Sequence, residues 1–268
     1  MSGPILIFDS GIGGLSILDE IRTLIPDKDC CYLFDNARLP YGELAESPLI
    51  IGCVSLICEH AKRINAAIVV VACNSASTLV LPILRKRLSI PIVGVVPAIK
   101  PAAKISIQRH IGLLATPGTI KRPYTKELIE AFAEDCQVEL FGSSELVMLA
   151  EAKLAGIAID MAKLTLLLTP IRESALDTLV LGCTHFPILA AEIRQVLGNH
   201  ITLLDSGKAV ADRVAYLLGD NTAVISDDKR CVNYSAVYTT DDIAVGLRER
   251  LVEEGFTKIE PHSSTHLS

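Results

Sequence analysis

The chain has no tryptophan, and aromatic residues are only 4% of its 268 positions. It also lacks a basic excess: 25 Lys and Arg face 31 Asp and Glu, a formal charge of −6. General affinity for nucleic acid or an anionic membrane surface therefore has no electrostatic basis. The eight cysteines form no C-x-x-C pair, and no Cys/His cluster has zinc-ligand spacing, so no metal is expected. The start, MSGPILIFDSG, has no positive region ahead of its apolar run, which reads as a reduced, cytoplasmic protein. The longest uncharged stretch, 64–84, is interrupted by Asn65, Asn74, Ser75, Ser77, Thr78 and Pro82. It reads as a buried strand entering a helix, not as a membrane span. No segment is rich enough in Gly and Ser to be a linker, and a half-hydrophobic composition excludes a disordered chain.

What is present is a series of short Val/Ile/Leu runs: 5–8, 31–34, 68–72, 92–96, 111–115, 138–142, 178–182 and 201–205. Continuous apolar runs are the habit of strands buried on both faces of a parallel sheet, so the fold class is α/β. Helical spacing falls between them at 15–24, 48–65, 78–88, 121–133, 157–169 and 187–197. The length suits about two domains. A weak repeat supports two related units. ILIFDSG is followed 64 residues after Asp9 by VVVACNS at Cys73, and IGLLATPG is followed 67 residues after Thr116 by LVLGCTH at Cys183. The segment after LLDSG (203–207) has no such cysteine turn and is expected to pack back onto the first unit.

Ligands of open parallel sheets bind beyond the carboxyl ends of the strands. Three turns belong there. In FDSGIGGLS (8–16), Gly11 and Gly13 fit a dinucleotide fingerprint but Ser16 breaks it, even though Asp35 could imitate the ribose acid. The turn reads either as Asp9 and Ser10 facing a cleft, with Gly11, Gly13 and Gly14 letting backbone amides approach an anion, or as Asp9 merely capping a helix. In IVVVACNSAST (68–78), Cys73 ends a strand, and Asn74, Ser75 and Ser77 supply capping oxygens. The helix start is expected to lower the thiol pKa, unless Cys73 is a plain core residue. In LVLGCTHFP (179–187), His185 either poises Cys183 or caps and packs. Two thiols on opposite walls of one cleft can remove a proton from carbon and return one to the other face. A nucleophilic Cys183/His185 dyad of a thiol hydrolase, and a noncatalytic amino-acid-binding protein, are the alternatives. Cys30, Cys31, Cys53, Cys58, Cys136 and Cys231 read as ordinary core thiols. Pro40, Tyr41 and Gly42 form a turn whose aromatic hydroxyl suits pocket closure, and Glu151 lies in a mostly apolar helical run, 143–156. No lysine stands where a pyridoxal anchor would, so the chemistry reads as cofactor-independent.

Taken in order, DSGIGGLS, DNARLPYGE, ACNSAST, VGVVPAIKPA, LLATPGT and LGCTHFP resemble the glutamate racemases of the aspartate/glutamate racemase superfamily. The resemblance implies Cys73 and Cys183 as acid/base thiols, assisted by Asp9 and His185 respectively. It implies Ser10, Tyr41, Gly42, Asn74, Ser75 and Thr184 as substrate contacts, with Thr116, Thr119 and Glu151 as neighbours. Ser75 stands where the family often has Thr and keeps the hydroxyl. Two pseudosymmetric α/β domains with the site between them are implied, 1–96 plus 208–268 and 97–207. The expected ligand is L- or D-glutamate, without cofactor; aspartate racemase or a related isomerase is the nearest alternative. A homodimer is compatible with the resemblance, and regulation by a cell-wall precursor, found in part of the family, stays open.

Overall fold

The computed structural model describes residues 3–219 and 232–263; Cys231 lies outside the described residues. Its strands are β1 (Ile5–Asp9), β2 (Cys30–Phe34), β3 (Ile68–Val71), β4 (Ile92–Gly94), β5 (His110–Ala115), β6 (Gln137–Gly142), β7 (Thr178–Leu181), β8 (Thr202–Leu204), β9 (Tyr234–Tyr238) and β10 (Phe256–Pro261). They form two parallel sheets, ordered β10-β9-β2-β1-β3-β4 and β6-β5-β7-β8. The units β2-β1-β3-β4 and β6-β5-β7-β8 share one order, which is the duplication seen in the repeated motifs.

The period of two along each strand explains the layers. Ile5 and Ile7 of β1 enter a core beneath helices α1 (Leu15–Leu24) and α10 (Gly207–Leu218), whereas Leu6 and Phe8 enter the opposite core beneath α2 (Glu46–Arg63) and α3 (Asn74–Arg87). Both sets are fully buried, at about 1.5–3 kcal/mol per large side chain. In the second sheet Leu114 of β5 faces α7 (Glu145–Leu154) and α8 (Met161–Arg172), while Ile111 and Leu113 face α4 (Ile99–Ile105).

All eight apolar runs are strands. β9 and β10 escape the sequence reading because Ser235 interrupts the apolar run of YSAVY and FTKIEP mixes Lys258 and Glu260 into an exposed edge. The helix expected at 78 begins at Asn74, so Asn74, Ser75 and Ser77 are not capping residues. Cys73 occupies the cap position, with no side-chain cap bond. The hydroxyls found other partners: Ser77 donates to the Val71 carbonyl at 2.8 Å, and Ser75 faces the second half of the chain. The helix expected at 121–133 is two, α5 (Pro117–Lys121) and α6 (Pro123–Phe132), broken at Arg122 ahead of Pro123. The last helices are α9 (Ala190–Leu197) and α11 (Val245–Glu253).

His60, at the end of α2, is completely buried; its Nδ1–H donates to the Leu56 carbonyl at 3.1 Å, and Nε2 has no partner. Its ring lies 4.9 Å from that of His262, just after β10. Burial first, then Arg63 and His262 against the Leu56 bond and Glu260, lowers its pKa from 6.5 to about 4. The unfolded chain therefore takes up this proton more readily than the native one. Stability is complete above about pH 6.5 and is lost as pH falls toward 4. Melting temperature is expected to drop across that window, and to drop less steeply in His60→Leu, by thermal melts at fixed ionic strength.

Candidate active site

The order 2-1-3-4 places a crevice between the outward paths from β1 and β3, and an equivalent one between β5 and β7. Asp9 and Ser10 leave β1, Cys73 follows β3, Thr116 follows β5 and Cys183 follows β7. The four strand ends meet. A small, nearly closed cavity is lined by Ser10, Pro40, Tyr41, Gly42, Cys73, Asn74, Ser75, Thr116, Val147, Cys183, Thr184 and His185. A larger pocket of about 600 Å³ beside α1 and α11 contains neither thiol, so the chemistry belongs to the smaller one.

Each thiol has its own neighbours. Cys73 donates to the Ser10 hydroxyl at 3.7 Å. The Cys183 sulfur lies 3.7 Å from His185 Nδ1, and His185 Nε2 meets Glu151 Oε1 at 2.6 Å. Thr184 donates to Asp9 Oδ2 at 3.2 Å across the two halves of the chain. Asp9 is fully buried, and its Oδ1 has no partner. Ser75, Thr116 and Thr119 form a triangle of hydroxyls with sides of 2.9, 3.2 and 3.0 Å. Asp9, Thr119 and Glu151 thus stand one contact behind the cavity wall, while every other residue expected at the site lines it.

The glycine-rich turn works differently from the anion cradle expected for it. Its amides reach carboxylates of the protein itself: Gly14 N–H donates to Asp9 Oδ2 at 2.7 Å and Ile12 N–H to Glu151 Oε1 at 2.8 Å. Asp9 therefore ties the start of α1 from behind the cavity wall, and its link to the cavity runs through Thr184. A Cβ on Gly11 would collide with Glu151 at 2.1 Å, and one on Gly13 with the His185 ring at 2.5–2.8 Å. Gly13→Ala is expected to fold but to push the imidazole aside, lowering kcat/KM about 10²-fold. Steady-state kinetics beside a thermal melt separates the two effects.

Tyr41 forms wall with its ring only. Its hydroxyl is spent on Asp35, which also pairs with Arg38 at 2.5 Å and accepts from Thr239 at 2.7 Å. The expected pocket-closing hydroxyl is therefore turned away, and Asp35 is not available to a ribose. Pro40, placed by the sequence in this turn, lines the wall too, and one wall residue lay outside the sequence reading, Val147. Val147 could have been found: it stands four residues before Glu151 on α7, hence on the same face.

A family model, Asp/Glu/Hydantoin racemase, matches residues 16–214. The chain belongs to this family. The glutamate racemase of Shewanella piezotolerans is 78% identical over 267 residues, covering all of both chains. Escherichia coli glutamate racemase, solved with L-glutamate and the activator UDP-MurNAc-Ala, matches with a TM-score of 0.90 and 45% identity, over 98% of this chain and 99% of that one. A Bacillus anthracis glutamate racemase isoform has a TM-score of 0.81 at 26% identity, over 99% of each chain.

Charge in this racemase-family site is governed by burial. Burial pushes the Cys73 thiol well above its ordinary range and the Asp9 charge adds to this, against the Ala76 amide and the Ser10 hydroxyl. The expected lowering by the helix start does not occur, because a dipole end contributes only about 0.3–1 kcal/mol and desolvation of a buried thiolate exceeds it. Burial also disfavours charge on His185, but its bonds to Cys183 and Glu151 outweigh burial and hold the imidazolium well above the usual 6.5. Burial raises the Asp9 carboxyl, against His185 and the Ser10 and Gly14 amides. The two thiols are thus inequivalent: an imidazolium stands at Cys183, and a buried carboxyl near Cys73. Among the described residues, no group of three His, Cys, Asp or Glu side chains is placed to hold a metal ion, and no helix is long and apolar enough to cross a membrane.

Proposed function

We infer that the protein is a glutamate racemase that interconverts L- and D-glutamate without a cofactor, using Cys73 and Cys183 as its acid/base pair. The observation that carries this mechanism is the placement of both thiols on one small cavity, each at a strand end in a different half of the chain. The His185 imidazolium lies against the Cys183 sulfur, while burial keeps Cys73 protonated. Cys183 takes the α-proton of one enantiomer, and Cys73 delivers its own to the opposite face. The other enantiomer uses the pair in reverse. Asp9, behind the wall with its Oδ1 unpartnered, assists transfer at Cys73 through its charge. Asn74, Ser75, Thr184 and the first amides of α3 hold the carboxylate on which charge develops, at ~2.7–4 kcal/mol per well-placed donor. Ser10 and the Tyr41–Gly42 turn complete the wall, with Thr116 and Thr119 setting the Ser75 hydroxyl.

We place the domain boundaries at 1–96 plus 208–268 and 97–207, supported by the return of α10, β9 and β10 to the first sheet. The product supplies D-glutamate for peptidoglycan in the cytoplasm. The likeness to the Escherichia coli enzyme, solved with its activator, supports control by the same class of cell-wall precursor. Chiral assay of L-glutamate and L-aspartate in deuterated water tests the reading. Glutamate is expected to approach equal enantiomers with deuterium at the α-carbon. Inversion of aspartate alone, or tight glutamate binding without exchange, would overturn it.

A further inference from the structure

Arg122 separates α5 from α6 and is only 6% exposed, rare for arginine. It belongs to the half of the chain that builds the second sheet, yet its guanidinium is spent on the first half. Nη1 donates to the Ser75 carbonyl and, at 2.5 Å, to the Thr78 hydroxyl. Glu46 is 3.8 Å from Nε and is itself 60% exposed, so this counter-charge is weakly held and screened by solvent. Such a buried cation is costly unless its bonds matter. What it grips is the first turn of α3, immediately after Cys73. The same short segment also holds the Ser75 hydroxyl, through Thr116 and Thr119. Ser75 is thus fixed from the opposite half of the chain by side chain and main chain together, and Thr125 braces the segment by donating to the Thr119 carbonyl at 2.6 Å.

We propose that Arg122 is a positioning residue for racemisation, locking the Asn74–Ser75 turn beside Cys73 from the other half of the chain. The inference rests on the glutamate racemase reading above. It also answers an electrostatic problem: the net charge of −6 repels an anionic substrate, and Arg122 supplies a local cation. Burial lowers the Arg122 pKa, against Glu46 and the Cys73 thiolate, so the Arg122 charge and a Cys73 thiolate stabilise one another. Removing that charge therefore makes the Cys73 thiolate harder to form.

The test compares Arg122→Ala and Arg122→Lys with the wild-type full chain on both enantiomers of glutamate, with thermal melts alongside. Arg122→Ala is expected to raise KM and to lower kcat/KM roughly ten- to a hundredfold, the scale of losing a charge-assisted bond. A limb of its kcat/KM profile set by Cys73 moves to higher pH. Arg122→Lys keeps the profile in place and recovers part of the activity, and free guanidinium at non-denaturing concentration partly restores Arg122→Ala. Unchanged kcat/KM in Arg122→Ala overturns the proposal. So does a loss that follows the melting temperature alone, with neither lysine nor guanidinium restoring it. A wild-type chain inactive on both enantiomers would instead defeat the glutamate reading, and this inference with it.

Discussion

Cys73→Ala and Cys183→Ala should each abolish racemisation, lowering kcat/KM by about 10⁴-fold, while the fold survives. Both side chains are small and buried, so truncation to Ala costs on the order of 1 kcal/mol, or about 2–4 °C in Tm for a chain of this size. The catalytic loss is far larger because the roles are not interchangeable. A planar α-carbanion must receive its new proton on the face opposite the one that lost the old, and only the thiol on that wall is placed to give it. Either variant can still exchange the α-hydrogen of one enantiomer with solvent, without inversion. Chiral chromatography with mass detection in deuterated water reads both quantities. Near-normal inversion by either purified variant would remove the two-thiol mechanism. Activity of Cys73→Ala with an acyl group trapped on Cys183 would instead identify a hydrolase using the Cys183–His185 pair.

Replacement of His185 by Asn is expected to lower kcat/KM about 10²–10³-fold, the scale of a preorganised charged donor beside a reacting atom. The wild-type profile should be bell-shaped, since one thiol must be charged while the other keeps its proton. A flat profile from about pH 6 to 10 would contradict the pair. Stability changes too, and with a definite sign. The native imidazole, held above 6.5 by Cys183 and Glu151 against burial, binds its proton more tightly than the unfolded chain does. Its stabilisation is therefore fully present below about pH 6.5 and is lost as pH rises through the native value. Melting temperature should decline with alkalinity in the wild type and decline less in His185→Asn. A variant with the wild-type rate profile and the wild-type melting profile would show that the imidazolium plays neither part.

The chain order of chemistry-bearing turns could be read directly, because a parallel strand buried on both faces must be a run of apolar residues and must end in a turn that can face a ligand. ILIFD, IVVV and TLVL therefore announce Asp9, Cys73 and Cys183 before any fold is known. A charged edge strand such as β10 carries no such signature, and in β9 Ser235 interrupts the apolar run. Side-chain partners were also illegible. Ser75 and Tyr41 look alike as hydroxyl-bearing turn residues, yet one faces Thr116 across the cleft and the other is consumed by Asp35. Arg122 shows the same limit, since an arginine between two helices ordinarily points to water.

By itself the sequence determined the α/β class, the duplication, the two thiols and the absence of any reason to seek a metal. All of these depend on residues near one another along the chain, or on a repeated pattern. Tertiary structure alone decided that Glu151 meets the far nitrogen of His185, that burial raises the Cys73 thiol despite its helix start, that glycines make room for His185 and Glu151, and that Arg122 reaches the other half of the chain. Those outcomes depend on desolvation and on contacts between residues 34 to 175 positions apart, where energy is set by distance in space and the local pattern of the chain carries no record of it.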